Sequence, residues 1–149
     1  MFLEQKLYKK IMESMPIVCV DALIINEKKE YLLVKRKNEP LKNKFWMVGG
    51  RLQKNELIEE GIKRKLKEEV NIEVGLIKYL GHFEEFFKNT EQKINGNFHS
   101  ISFVFLVFVN SKIKIDIDNQ SLKYKWFIKL PKIFKTLIPW INNKIILKI

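Results

Sequence analysis

Leu3, Leu7, Ile11 and Met15 recur every four residues with Lys and Glu between them, a spacing that lines up apolar side chains on one face of a helix. This predicts an amphipathic helix over 3–14, stopped before Pro16 because the residue ahead of a proline is disfavoured in the helical region. The run IVCVDALII at 17–25 is β-rich and broken only by Asp21, and YLLVKR at 31–36 follows a polar turn, so the pair is predicted as a hairpin. KNEPLKNK at 37–44 reads as a loop, and FWMV at 45–48 as a short strand running into Gly49 and Gly50. From near Asn55 the pattern returns to helical spacing, with Ile58, Ile62, Leu66 and Val70 on one stripe, and it closes around Asn71. Strands over 73–87 and 98–109 bracket the polar NTEQKINGN, a loop suited to a lid or to specificity. LKYKWF at 122–127 gives another strand, and after Pro131 the residues Ile133, Leu137 and Trp140 mark a C-terminal amphipathic helix. Strands and helices mixed in this order, without an internal repeat, predict an α+β sandwich built as one domain over residues 1–149.

Composition changes this picture in a few places. The most apolar run, FVFLVFV at 103–109, is far shorter than the roughly 18 residues of a membrane span and reads as a buried strand. The N-terminal residues carry charges through their apolar positions, so no export signal is expected, and the lone Cys19 excludes an internal disulfide; both fit a cytoplasmic location. The formal net charge of +11 invites a nucleic-acid reading, but the lysines are spread from Lys6 to Lys148 and form no basic patch. Dedicated nucleic-acid binding is therefore not expected. Arginine is more selective: Arg36, Arg51 and Arg64 are the only three among 28 basic residues, and all lie around the glycine pair. In a chain that otherwise uses lysine, an arginine points to a need for its planar fork, which suits phosphates and carboxylates.

Two acidic features call for partners. Asp21 interrupts an apolar strand and needs a cation or hydrogen bonds, which Arg36 at the end of the neighbouring strand is placed to supply. Glu56, Glu59, Glu60, Glu68 and Glu69 crowd into the segment after the glycines, and Glu69 falls at the edge of the apolar stripe. Ordinary helix pairs, Arg64 with Glu68 and Lys65 with Glu69, account for part of this. The glycines add a second reading, in which backbone carbonyls and helix carboxylates face a common hard cation that keeps waters for a phosphate substrate.

The stretch resembles the Nudix box, G-x5-E-x7-R-E-U-x-E-E-x-G-U with U aliphatic, through Gly50, Glu56, Arg64, Leu66, Glu68, Glu69 and Ile72. Lys65 replaces the first Glu after Arg, and Asn71 replaces the late Gly, a mild change because Asn tolerates the left-handed conformation. The resemblance implies a Nudix fold, an α/β/α sandwich with a mixed sheet between helices. Within the superfamily the chain looks similar to GDP-mannose mannosyl hydrolases at MFL (1–3), Pro16 with Asp21, KRKNEP (35–40), GGRLQKNE (49–56), His99 and the Gln120 to Trp126 region. This implies a Mg²⁺-dependent homodimer, with Mn²⁺ as a substitute, that acts on a nucleotide sugar and releases GDP and mannose by C–O cleavage. It implies Gly49 or Gly50, Glu69 and Gln120 as metal ligands, with Glu68 as a further carboxylate. Arg36 would stabilise the departing diphosphate, held by Asp21, while Arg51 and Arg64 would serve the phosphates or the box.

Three departures touch the chemistry. The implied general base is a His after Gln120, but Ser121 stands there, and a hydroxyl without help does not take a proton near neutral pH. His99 and His82 are the replacement candidates, with His99 also a substrate contact; a structural, hydrogen-bonded role is the other reading for each. Glu68 stands where those enzymes tend to have a small residue, and Val48 where a proline is common, which moves the balance toward P–O cleavage of a nucleoside diphosphate linked to another group. A nucleotide-binding protein with little turnover is the third reading. Phe83, Phe86, Phe87, Tyr124 and Trp126 are expected in the core or at a dimer contact rather than against a base.

Overall fold

The computed structural model describes residues 3–88, 90 and 92–148. Met1 and Phe2 of the N-terminal resemblance, and Asn89 and Glu91 of the anticipated lid loop, lie outside the described residues. The chain runs α1 (Gln5–Ser14), β1 (Ile17–Asn26), β2 (Tyr31–Arg36), β3 (Phe45–Trp46), β4 (Val48–Arg51), α2 (Ile58–Val70), β5 (Ile77–Phe87), β6 (Phe98–Val109), β7 (Ser121–Phe127), a 3-10 turn at Lys132–Phe134, and α3 (Ile138–Lys148).

A mixed sheet carries the strands in the order β3-β2-β1-β6-β5, with β4 paired to β1 and β7 to β2. The two ends of β1 have different neighbours. Its C-terminal end forms the anticipated hairpin through Ile24 opposite Leu32, while its N-terminal half pairs antiparallel with β4, placing Val20 opposite Gly50 and Asp21 opposite Gly49. On its other side β1 lies parallel to β6 from Ile17–Ser100 to Asn26–Val109. The glycine pair therefore sits inside a strand, not after one. FWMV, expected as a single strand, is split at Met47 between β3 and β4, which bond to different partners.

Alternation along the strands builds two cores, one per face. Val20, Ala22, Ile24, Leu32, Val34, Phe105 and Val107 meet Ile62, Leu66 and Val70 of α2, the helical stripe visible in the sequence. Leu23, Ile25, Leu33, Val104 and Leu106 point the other way, onto Phe134, Leu137 and Ile141. This is the expected sandwich of a sheet between helices. The second helix begins three residues later than expected, at Ile58: Glu60 accepts a hydrogen bond from the Leu57 amide at 3.0 Å, and Glu56 accepts one from the Gln53 amide at 2.9 Å, so 53–57 forms a tight lead-in. The helix stops at Asn71, which is left-handed at φ 56°, ψ 37°, with the Ile72 amide returning to the Leu66 carbonyl at 3.1 Å. β5 starts at Ile77 rather than 73, and the C-terminal helix is preceded by the 3-10 turn after Pro131. Among the described residues, no helix is long and apolar enough to cross a membrane.

Candidate active site

The β1–β4 pairing brings Asp21 against Gly49 so closely that a Cβ on Gly49 would lie 2.1 Å from Asp21 Oδ1 and 2.3 Å from the Val20 carbonyl. Gly49 is thus a close-approach glycine that makes room for this carboxylate. Gly50 faces α2, where a Cβ would stand 2.8 Å from Lys65 Cε. The two glycines together leave space for Asp21 on one side and for the Lys65 stem on the other.

Asp21 is half-buried at the cavity wall, and its loss of solvent pushes its carboxyl up to about 7; Glu69 and Glu85 push the same way, while the Ser102 hydroxyl and the Arg36 charge pull it down. Ser102 Oγ donates a short hydrogen bond to Asp21 Oδ2. The anticipated Asp21–Arg36 pair takes a looser form: Arg36 Nε donates to the Pro40 carbonyl at 2.6 Å, and Arg36 reaches Asp21 through charge across a shared cavity. The sequence placed the two residues together but not Ser102, which comes from β6, 81 positions away.

α2 presents the other carboxylates. Arg64 grips Glu56 with Nε to Oε1 at 2.5 Å and an Nη to Oε2 at 3.0 Å, donates to the Arg51 carbonyl at 3.1 Å, and reaches Glu68 Oε2 at 3.1 Å. It ties β4, the lead-in turn and the helix into one unit, which favours service to the box over direct contact with phosphate. Lys65 Nζ lies 2.7 Å from Glu69 Oε1 and 3.4 Å from Glu68 Oε2. Glu69 is only 8% exposed, and its Oε2 lies 3.4 Å from the Gly49 amide. Burial pushes Glu69 upward against the pull of Lys65, and Asp118 adds to the upward push. For Lys65 burial opposes the charge, but Glu69 and Glu68 outweigh it and raise its pKa.

A cavity of about 200 Å³ opens beside this junction, lined among others by Asp21, Arg36, Arg51, Gly49, Gly50, Trp46, Phe87 and Glu85. Arg51 stacks over the Tyr8 ring at 5.4 Å. Strand alternation selects what reaches the cavity: Phe83, Glu85 and Phe87 from β5, and Phe98, Ser100 and Ser102 from β6. Phe83 and Phe87 pack against the core, as expected, and also line the cavity, where Trp46 beside them stacks on Phe134 at 4.4 Å. His99 falls on the opposite alternation, with Nε2 3.2 Å from Glu84 Oε1 and its ring stacked on Phe86 at 4.4 Å. His82, one register removed, packs near Phe103. Neither histidine lines the cavity.

Gln120 and Ser121 also stand outside the cavity wall. Ser121 opens β7 opposite Arg36, and the Gln120 side chain accepts from Asn38 Nδ2 at 2.8 Å. The nearby segment is docked on the end of α2 instead by the Asp118 amide, 3.0 Å from the Glu69 carbonyl. Asp118 is thus the acidic residue from this region whose charge reaches Glu69. Sequence reasoning missed it because nothing in IDIDNQ reveals which residue the docking turns inward. Cys19 lines the cavity as well, and burial pushes its thiol up to about 12, away from the thiolate form.

The carboxylate oxygens of Glu68 and Glu69 are hard donors of the kind that suits Mg²⁺ or Mn²⁺, and the Gly49 amide faces Glu69. Among the described residues no group of three His, Cys, Asp or Glu converges as a metal cluster. Each of these carboxylates already faces a cationic side chain, Glu56 and Glu68 facing Arg64 and Glu69 facing Lys65.

The family model for the NUDIX domain matches residues 15–139. The chain belongs to the NUDIX domain family. It is 32% identical to the ADP-ribose pyrophosphatase of Methanocaldococcus jannaschii, over 86% of this chain and 76% of that protein. It is 28% identical to the low-salt glycan biosynthesis protein Agl8 of Haloferax volcanii, over 80% of this chain and 76% of that protein. Among solved structures, the MutT protein of Methanosarcina mazei superposes with a TM-score of 0.70 at 23% identity, covering 88% of this chain and 96% of that one. The NUDIX assignment accounts for the glycine strand, the carboxylate helix and the left-handed stop at Asn71 as parts of one motif.

Proposed function

We propose that this NUDIX protein hydrolyses a nucleoside diphosphate joined to a sugar, with a divalent cation held by Glu68, Glu69 and the backbone of Gly49 or Gly50. The observation that carries the reading is a cavity that holds two arginines and an aromatic wall and is lined by Gly49 and Gly50, the first of which also faces Glu69 of the carboxylate helix through its amide. Arg36 and Arg51 suit the diphosphate, and Trp46 with Phe87 offers a surface for a base or sugar ring. A bound divalent cation would supply charge neutralisation for the diphosphate. The chain's own residues position the groups: Arg64 holds the Glu56 turn to the helix, and Ser102 fixes Asp21 against the glycine strand. The relative named as an ADP-ribose pyrophosphatase supports this substrate class.

GDP-mannose is the first substrate to test, with release of GDP and free mannose by C–O cleavage as the reading that the motif runs imply. P–O cleavage is the second reading. One observation favours it: neither histidine nor Ser121 lines the cavity that Arg36 and Arg51 line, so none of the three stands beside those arginines as a base. A homodimer and a cytoplasmic location belong to the same proposal.

Incubating the protein with Mg²⁺ and either GDP-mannose or ADP-ribose, and reading products by phosphorus NMR, separates the alternatives. GDP with free mannose means C–O cleavage; a nucleoside monophosphate with a sugar phosphate means P–O cleavage. Turnover of neither substrate defeats the proposal. Glu69→Gln is expected to lower turnover by about 10²-fold or more, the scale of losing one transition-state stabilising group, while the circular dichroism spectrum stays unchanged.

A further inference from the structure

Lys65 is the residue of the box that the motif does not explain. It occupies the helical position where the pattern has a glutamate, and its side chain, rather than pointing into water, folds back along α2 beneath Gly50. Its Nζ sits 2.7 Å from Glu69 Oε1 and 3.4 Å from Glu68 Oε2, with the side chain only 16% exposed. We propose that the Lys65 ammonium is a tethered cation that takes Glu68 Oε2 and Glu69 Oε1 in place of a second divalent ion, so that this chain holds only the one ion of the proposed function. This rests on the proposed metal-dependent reading of the same site.

Three observations support the assignment. The first is the charge count: among the described residues the ion pairs of Glu56, Glu68 and Glu69 are with Arg64 and Lys65, so three carboxylates meet two cations and a single negative charge is left on this face. Without Lys65 that excess would double, with Asp118 close enough to add to it. The second is shape. Gly50 lacks the Cβ that would stand 2.8 Å from Lys65 Cε, so the glycine strand leaves a slot for the lysine stem. The third is burial, because a 2.7 Å ion pair to a carboxylate that is 8% exposed is shielded from the solvent screening that weakens surface pairs. A divalent ion approaching Glu69 must displace an ammonium that never leaves by diffusion. The substitution also exchanges a negative side chain for a positive one, which lowers the demand for metal charge at the site.

The experiment is Mn²⁺ binding by electron paramagnetic resonance, titrating Mn²⁺ alone into wild-type protein, Lys65→Glu and Lys65→Met, with no substrate present. Lys65→Glu is expected to bind one more Mn²⁺ per chain than wild type. Lys65→Met is expected to bind Mn²⁺ about tenfold more tightly, the factor for relieving one modest competing interaction, and to gain more than wild type in melting temperature when Mg²⁺ is added. If Lys65→Glu fails to fold, Lys65→Met still decides the matter. Equal ion count and equal Mn²⁺ affinity in wild type and Lys65→Met would overturn the proposal, because the lysine would then be a side chain that swings aside at no cost. The readout needs no turnover. A Lys65-dependent ion count in a protein that hydrolyses no nucleotide sugar defeats the functional proposal alone, and turnover with a Lys65-independent ion count defeats this one alone.

Discussion

Asp21 shows how a single residue carries a cost that its surroundings have to manage. A carboxyl whose folded pKa is raised to about 7 from an ordinary 3.8 binds its proton more tightly in the folded than in the unfolded chain. The sign follows directly: stability is greatest at acid pH, falls as pH rises from about 4 to about 7, and levels above that window. Asp21→Asn is expected to flatten this slope and to be more stable than wild type near neutral pH by on the order of 1 kcal/mol or more. Some slope persists, since Glu69 and Glu85 are also pushed upward by burial. Urea unfolding at a series of pH values reads it, and an unchanged slope in the variant would show that Asp21 is ionised at little cost. The residue type was legible in the sequence, an acid inside an apolar strand. Its main hydrogen-bond partner was not, because Ser102 arrives through the parallel β1–β6 pairing and no local pattern announces a long-range register.

At the scale of the element, α2 was the most readable part of the chain. The stripe Ile62, Leu66 and Val70 is fully buried, as the period of the sequence required. Its stop was also legible, for Asn71 takes the left-handed conformation that the motif assigns to glycine. Asn71→Ala is expected to cost about 1–2 kcal/mol, the penalty for a Cβ in that region. Thermal unfolding measures it, and a neutral result would mean that the helix end relaxes into another cap. The strands were less exact. FWMV looked continuous, yet β3 bonds to β2 and β4 to β1, so the break at Met47 follows from a change of partner rather than from any turn residue. The glycines were expected to follow a strand, whereas they lie within β4 and pair with β1, where they allow close approach to Asp21 and Lys65.

At the scale of the whole molecule, the formal charge of +11 sets the field in which an anionic substrate arrives. For a diphosphate substrate, raising the salt by about 0.3 M is expected to increase KM severalfold with kcat nearly constant, because screening at that ionic strength acts over less than about 10 Å. Steady-state kinetics at several NaCl concentrations test this, and a salt-independent KM would confine the recognition to short-range contacts. What the sequence by itself determined is what local spacing encodes: the helices, the apolar strands, the NUDIX motif from Gly50 to Ile72 and the odd position of Lys65 within it. What only the tertiary structure decided is which of those residues meet. It brought Asp21, Arg36, Arg51 and the glycines to one cavity, left His99, Gln120 and Ser121 outside its wall, and turned Phe83, Phe87 and Glu85 into it. The reason is strand alternation: a shift of one residue in register sends a side chain to the other face of the sheet, and register is fixed by packing across the whole molecule rather than by neighbours in the chain.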